Sequence, residues 1–124
     1  MRVVLFIAIF GALGCVSRYL LSGWINSFFG GVIPYGTFAV NVLGAFLIGL
    51  ILECSLHSAF LSPELRMGLT VGFLGGFTTF SAFSYETVRL MENGLFPQAV
   101  LYVFASVAVC CVFTFAGIAV CRAL

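Results

Sequence analysis

Five arginines and four glutamates are the only charged side chains among 124 residues, and their placement constrains the chain more than any other feature. They stand at Arg2, Arg18, Glu53, Glu64, Arg66, Glu86, Arg89, Glu92 and Arg122, leaving charge-free runs at 3–17, 19–52, 67–85 and 93–121. A spanning helix needs about 20 apolar residues. The run 19–52 is too long for one crossing, and Phe28-Phe29-Gly30-Gly31-Val32-Ile33-Pro34 interrupts it with turn residues. The pattern predicts an all-α integral membrane protein with four transmembrane helices near 3–25, 36–53, 64–86 and 97–121. Those spans and short loops account for residues 1–124 as a single membrane domain embedded in the lipid bilayer.

The same pattern excludes other classes. Only 7% of residues are charged, against roughly a quarter in a soluble domain. A net charge of +1 cannot build the basic face of a nucleic-acid binder. A small soluble core cannot bury a chain that is 63% hydrophobic, so a water-soluble enzyme is excluded. Cysteines 15, 54, 110, 111 and 121 show no metal-ligand spacing with histidine, and those of the last span are expected to act as small hydrophobes. Arg2 before an apolar run resembles a signal peptide, and Ala12-Leu13-Gly14-Cys15 resembles a lipoprotein cleavage box. The box has alanine where leucine is expected, and the apolar run continues to Leu21 with no polar region after it.

With four spans, Arg2, Arg66 and Arg122 fall on one side, and Arg18 and Arg89 on the other. Orientation follows such counts, and three against two is almost no bias. A chain so balanced can insert both ways round, which makes an antiparallel two-fold dimer available; alternatively Arg2 alone decides the orientation.

Small residues mark helix contacts. Gly68, Gly72 and Gly76 recur every four residues, as do Ala45 and Gly49 beside Gly44, while Gly11 and Gly14 mark the first helix. Ordinary packing suffices for the first two helices. In the third, Gly75-Gly76 weakens the helix by about 2 kcal/mol relative to alanine and precedes Thr78 and Thr79. A break there frees backbone groups at mid-membrane, where such groups hold an ion or line a cavity. Packing alone remains the other reading.

Polar residues inside spans are costly and tend to be functional. Asn41 shares a face with Thr37 and Ala45; Tyr102, Ser106, Cys110 and Thr114 recur every four residues; Thr78, Thr79, Ser81 and Ser84 cluster around Phe77, Phe80 and Phe83. Each hydroxyl alone is explained by a bond to its own helix carbonyl. Together they form a polar track. Glu53, Glu86 and Glu92 sit at span ends, so no track residue is an acid and no carboxylate relay is expected, and the lone histidine, His57, is expected as a solvated loop residue beside Leu56 and Ser58. Neutral donors, with Arg18 at a helix end and the positive edges of phenyl rings, favour an anion.

Three motifs in order, Gly14-Cys15-Val16-Ser17-Arg18-Tyr19, Gly36-Thr37-Phe38-Ala39-Val40-Asn41-Val42-Leu43-Gly44 and Gly72-Phe73-Leu74-Gly75-Gly76-Phe77-Thr78-Thr79-Phe80-Ser81-Ala82-Phe83-Ser84, resemble the signatures of the CrcB/Fluc fluoride channels over essentially the whole chain. The resemblance implies an antiparallel, dual-topology homodimer in a bacterial inner membrane, with two fluoride pores for passive export and a structural sodium ion on the two-fold axis. It implies sodium ligands at the backbone carbonyls of Gly75 and Thr78. It implies a fluoride pathway of Phe80, Phe83, Asn41 and Ser81, Arg18 near the aqueous vestibule, and Tyr102, Ser106 and Thr114 along the last helix. Cys110 departs from the pattern, where a hydroxyl is more usual and a thiol is a weak donor. A small multidrug transporter has similar length but needs a carboxylate in its first span, and residues 3–25 contain none. A holin-like membrane protein needs neither the track nor the break.

Overall fold

A computed structural model describes residues 1–57 and 61–124. Among these, every regular element is helical: α1 (Arg2–Phe28), α2 (Tyr35–His57), α3 (Pro63–Met67), a π-helical segment (Gly68–Leu74), α4 (Gly75–Phe77), α5 (Phe80–Glu92) and α6 (Phe96–Ala123). The chain is a multi-pass membrane protein. Helices α1, α2 and α6, of 27, 23 and 28 residues, are each long and apolar enough to cross a bilayer. At about 1.5 Å per residue each exceeds the roughly 30 Å of hydrocarbon to be crossed.

The ends follow local chemistry. Asn26 Oδ1 accepts the Gly36 N–H at 2.8 Å and ties the loop after α1 to the start of α2. Ser62 caps α3 by accepting the Leu65 N–H at 3.2 Å, with Pro63 in the first turn. Helix α5 stops at Asn93, and Gly94 takes a left-handed φ of 76° that favours glycine. Helix α2 runs on through His57, so part of the loop expected over 54–63 is helix, and 58–60 lie outside the described residues.

The expected third span, 64–86, is several elements. The π segment widens the helix after α3. Gly75 keeps helical angles of −62° and −36°, and the glycine pair opens α4. The extended residues lie further on: Thr78 at φ −88°, ψ 157° and Thr79 at φ −150°, ψ 117°. Glycine lowers the cost of leaving the helix, whereas the β-branched threonines accept extended angles readily. Thr79 also caps α5, its Oγ1 accepting the Ala82 N–H at 3.2 Å.

Packing forms two seams, α1 against the π segment and α4, and α2 against α6. Close approach depends on glycine. A Cβ on Gly14 would overlap the Phe73 carbonyl, and Cβ atoms on Gly49 and Gly117 would strike the Thr114 and Phe46 carbonyls across the second seam. The buried set is small, with Val40, Leu74, Phe77, Leu90, Ala99 and Tyr102 at its heart. Large apolar side chains such as Leu5, Ile9, Leu20, Phe104 and Phe115 cover the outside, as a bilayer requires.

Two cysteine and histidine expectations are corrected at the far end of the second seam. Cys121 is not a lone small hydrophobe: it is disulfide-bonded to Cys54, with Cα atoms 5.6 Å apart. His57 is no loop residue: it ends α2, where its Nε2 lies 3.0 Å from Glu53 Oε1. The same carboxylate oxygen accepts from Arg122 Nε at 2.7 Å, so the ends of α2 and α6 are joined by charge as well as by sulfur.

Candidate functional site

Where the chain leaves the helix at Thr78 and Thr79, backbone groups need new partners, and α2 supplies them. Asn41 Oδ1 accepts the Thr79 N–H at 2.8 Å while Asn41 Nδ2 donates to the Thr79 carbonyl at 3.0 Å. The amide replaces two backbone bonds at once. One Nδ2 hydrogen remains uncommitted. Because the Thr79 N–H turns to Asn41, the Gly75 carbonyl does not receive the bond a continuing helix would give it. The Thr78 carbonyl is released similarly, since the Ala82 N–H goes to Thr79 Oγ1. On the α1 side, Arg18 Nε donates to the Gly76 carbonyl at 3.0 Å, placing a cation at the C-terminal end of α4.

Beside this bracket lies a groove of about 450 Å³ between α2, the π segment, α5 and α6. Asn41, Thr78, Thr79, Phe80 and Phe83 line one wall and Ser106, Cys110 and Thr114 the other, with Gly75 at the edge. The two phenyl rings sit 5.4 Å apart, centroid to centroid, tilted by 43°. Phe80 is 77% exposed and Phe83 only 9%. Thr114 Oγ1 lies 3.1 Å from the Ala45 carbonyl and 3.0 Å from that of Cys110, so its proton is spent on backbone. Ser106 differs. Its Oγ is buried and has no hydrogen-bond partner among the described residues. Such a hydroxyl carries a desolvation cost of about 1–3 kcal/mol unless something else accepts its proton.

The structure thus brings Asn41, Phe80, Phe83, Ser106, Thr114, Gly75 and Thr78 to one groove, and with them Cys110. Three expected residues stand apart. Ser81 is exposed and 3.2 Å from Thr79 Oγ1, outside the groove lining. Arg18 supports the bracket from behind. Tyr102 reaches the groove only through Phe83, 5.2 Å from it ring to ring. The simple reading of hydroxyls bonded to their own helix holds for Thr78, Ser84 and, in part, Thr114.

Glu86 is the residue missed. Expected at a span end, it lies inside α5 and outside the groove lining, where its Oε2 accepts from Tyr102 Oη at 2.9 Å and its Oε1 from Thr37 Oγ1 at 2.6 Å. A signal existed: Glu86 follows Phe83 by three residues and shares its face of α5. A span end drawn at residue 86 hid it, since the helix runs to Glu92.

Comparison with known proteins places the chain in a family. Residues 5–118 match the family model described as CrcB-like protein, Camphor Resistance (CrcB). The protein called "Fluoride-specific ion channel FluC" of Geotalea uraniireducens is 63% identical over 124 residues, covering 100% of both chains. Proteins of the same name from Geotalea daltonii and Geobacter sulfurreducens are 62% identical over 98% of both chains and 60% over 100% of both. With the family model matching residues 5–118 and relatives at 60% identity or more over nearly the whole chain, this chain belongs to the CrcB/Fluc family.

Proposed function

We propose that the chain is the subunit of a fluoride-selective channel, not an enzyme, and lets fluoride leave the cytoplasm of a bacterium down its gradient. The observation that carries this reading is the groove that gathers Asn41, Phe80, Phe83 and the partnerless Ser106 hydroxyl. Fluoride is small and holds its water tightly, so a pore must offer donors nearly as good as water. Ser106 Oγ has a proton free to donate, and Asn41 has one N–H left after bracketing Thr79. The positive edges of Phe80 and Phe83 add attraction without a fixed charge. Entry must be favourable and exit still possible, which neutral donors permit.

The working unit is an antiparallel homodimer with two pores. Two observations support it. Phe80, at the groove, is exposed on one chain, and a Cβ on Gly75 would meet nothing within 4 Å among the described residues. No contact among the described residues demands glycine there, whereas a second copy approaching that face would. The released carbonyls of Gly75 and Thr78 are hard oxygen donors, two from each chain, and fit a sodium ion shared across the two-fold axis. If bound there, such an ion would be held by the Gly75 and Thr78 carbonyls and would supply positive charge close to the groove.

The test is fluoride efflux from liposomes holding the purified protein, with chloride as the competing anion. Rapid fluoride release without comparable chloride release is expected. Equal release of both anions, or release no faster than from protein-free liposomes, would overturn the reading.

A further inference from the structure

The Cys54–Cys121 pair lies where α2 and α6 end together, at one face of the membrane. Both cysteines are half-buried, next to exposed Arg122 and His57, so the sulfurs are within reach of the aqueous boundary. The seam does not depend on sulfur alone, because Glu53 of α2 accepts from Arg122 of α6 at 2.7 Å and Thr114 bonds the Ala45 carbonyl at 3.1 Å. The pair can therefore open without parting the helices.

Resting on the antiparallel reading above, the two copies of a dimer turn this end to opposite sides of the membrane. Disulfides persist on the outer side of a bacterial inner membrane and are reduced on the cytoplasmic side. We propose that Cys54 and Cys121 form a redox site oxidised in one copy and reduced in the other, so that the dimer is chemically asymmetric. On the outer side, one thiolate attacks the disulfide of a thiol–disulfide oxidant, and the second thiolate then displaces it. The Cys54–Cys121 bond forms, the oxidant's S–S bond breaks, and the two electrons and two protons leave on its dithiol. In the cytoplasm a dithiol reductant runs the same exchange backwards. The consequence reaches the groove, since the seam so stapled carries Thr114. In one copy that seam is locked covalently; in the other it is held by the Glu53–Arg122 pair, the Thr114–Ala45 hydrogen bond and the close glycine packing of α2 on α6.

The experiment traps thiols in cells by acid quench, blocks every free thiol with N-ethylmaleimide in detergent, then reduces and adds a mass tag to each newly freed thiol. Orientation is read in parallel from protease access to an uncharged N-terminal tag. Two lysines added at the N-terminus bias this end inward, and Gly30→Lys with Val32→Lys, in the opposite exposed loop, bias it outward. Half of the unmodified chains should gain two tags, nearly all of the outward variant, and none of the inward variant or of Cys54→Ser with Cys121→Ser. If both orientations coexist but all chains or none are tagged, the redox asymmetry is refuted while the antiparallel reading stands. If the unmodified protein shows one orientation only, both fall.

Discussion

Replacing Asn41 by aspartate changes one atom's chemistry at the point where two helices and the groove meet. The Thr79 N–H keeps its acceptor, but the Thr79 carbonyl, 3.0 Å from Nδ2, loses its donor and faces a second oxygen instead. A buried carbonyl left unpaired costs about 1–3 kcal/mol. The larger effect falls on the anion. At about 4 Å and an effective dielectric near 20, two unit negative charges repel by about 4 kcal/mol. Each ~1.4 kcal/mol is a tenfold change in occupancy, so the anion should occupy the groove about a thousandfold less. The assay is initial fluoride efflux from liposomes, with the amount of assembled protein fixed by size-exclusion chromatography. It is run at about pH 9 so that burial does not leave the new carboxyl protonated. Asn41→Ala serves as a companion, removing both bonds to Thr79 without adding charge, and should conduct better than Asn41→Asp. Efflux through Asn41→Asp within tenfold of the unmodified protein would falsify the assignment of Asn41 to the ion path.

Other substitutions separate function from folding. Ser106→Ala should raise thermal stability, by removing a buried hydroxyl without a partner, and lower fluoride efflux; a fall in melting temperature would mean that the hydroxyl is bonded in the assembled protein. Phe80→Ile should cut efflux with little effect on folding. Phe83→Ile should cut efflux and also lose about 1 kcal/mol of ring packing against Tyr102; full efflux in both removes the role of ring edges. Gly14→Ala should reduce folded yield by an overpacking cost of about 1–3 kcal/mol, because its Cβ overlaps the Phe73 carbonyl. Gly75→Ala leaves the single chain unstrained but should weaken dimer assembly in detergent, and a fully dimeric, conducting Gly75→Ala refutes a partner at that face.

Charge spacing together with the turn residues at 28–34 put the expected spans within a few residues of α1, α2 and α6 at most ends, because ions are costly in hydrocarbon and glycine and proline end helices. Four-residue repeats also collected Asn41, Ser106 and Thr114 before any contact was known, since a helix puts such positions on one face. That logic fails where the helix itself is irregular. The π segment and the extended residues Thr78 and Thr79 rotate everything beyond them, so Ser81 leaves the groove although it adjoins Phe80 in sequence. Partner choice was equally hidden. Nothing in the sequence shows that Asn41 makes two bonds to Thr79, that Arg18 donates to the Gly76 carbonyl, or that Thr37 and Tyr102 donate to Glu86. Cys54 and Cys121 are 67 residues apart, and no local pattern joins them. Solvation of single side chains acts through residue type and period, which a sequence displays. Hydrogen bonds and disulfides between α2, α4, α5 and α6 depend on distances between elements, which only the packed chain sets.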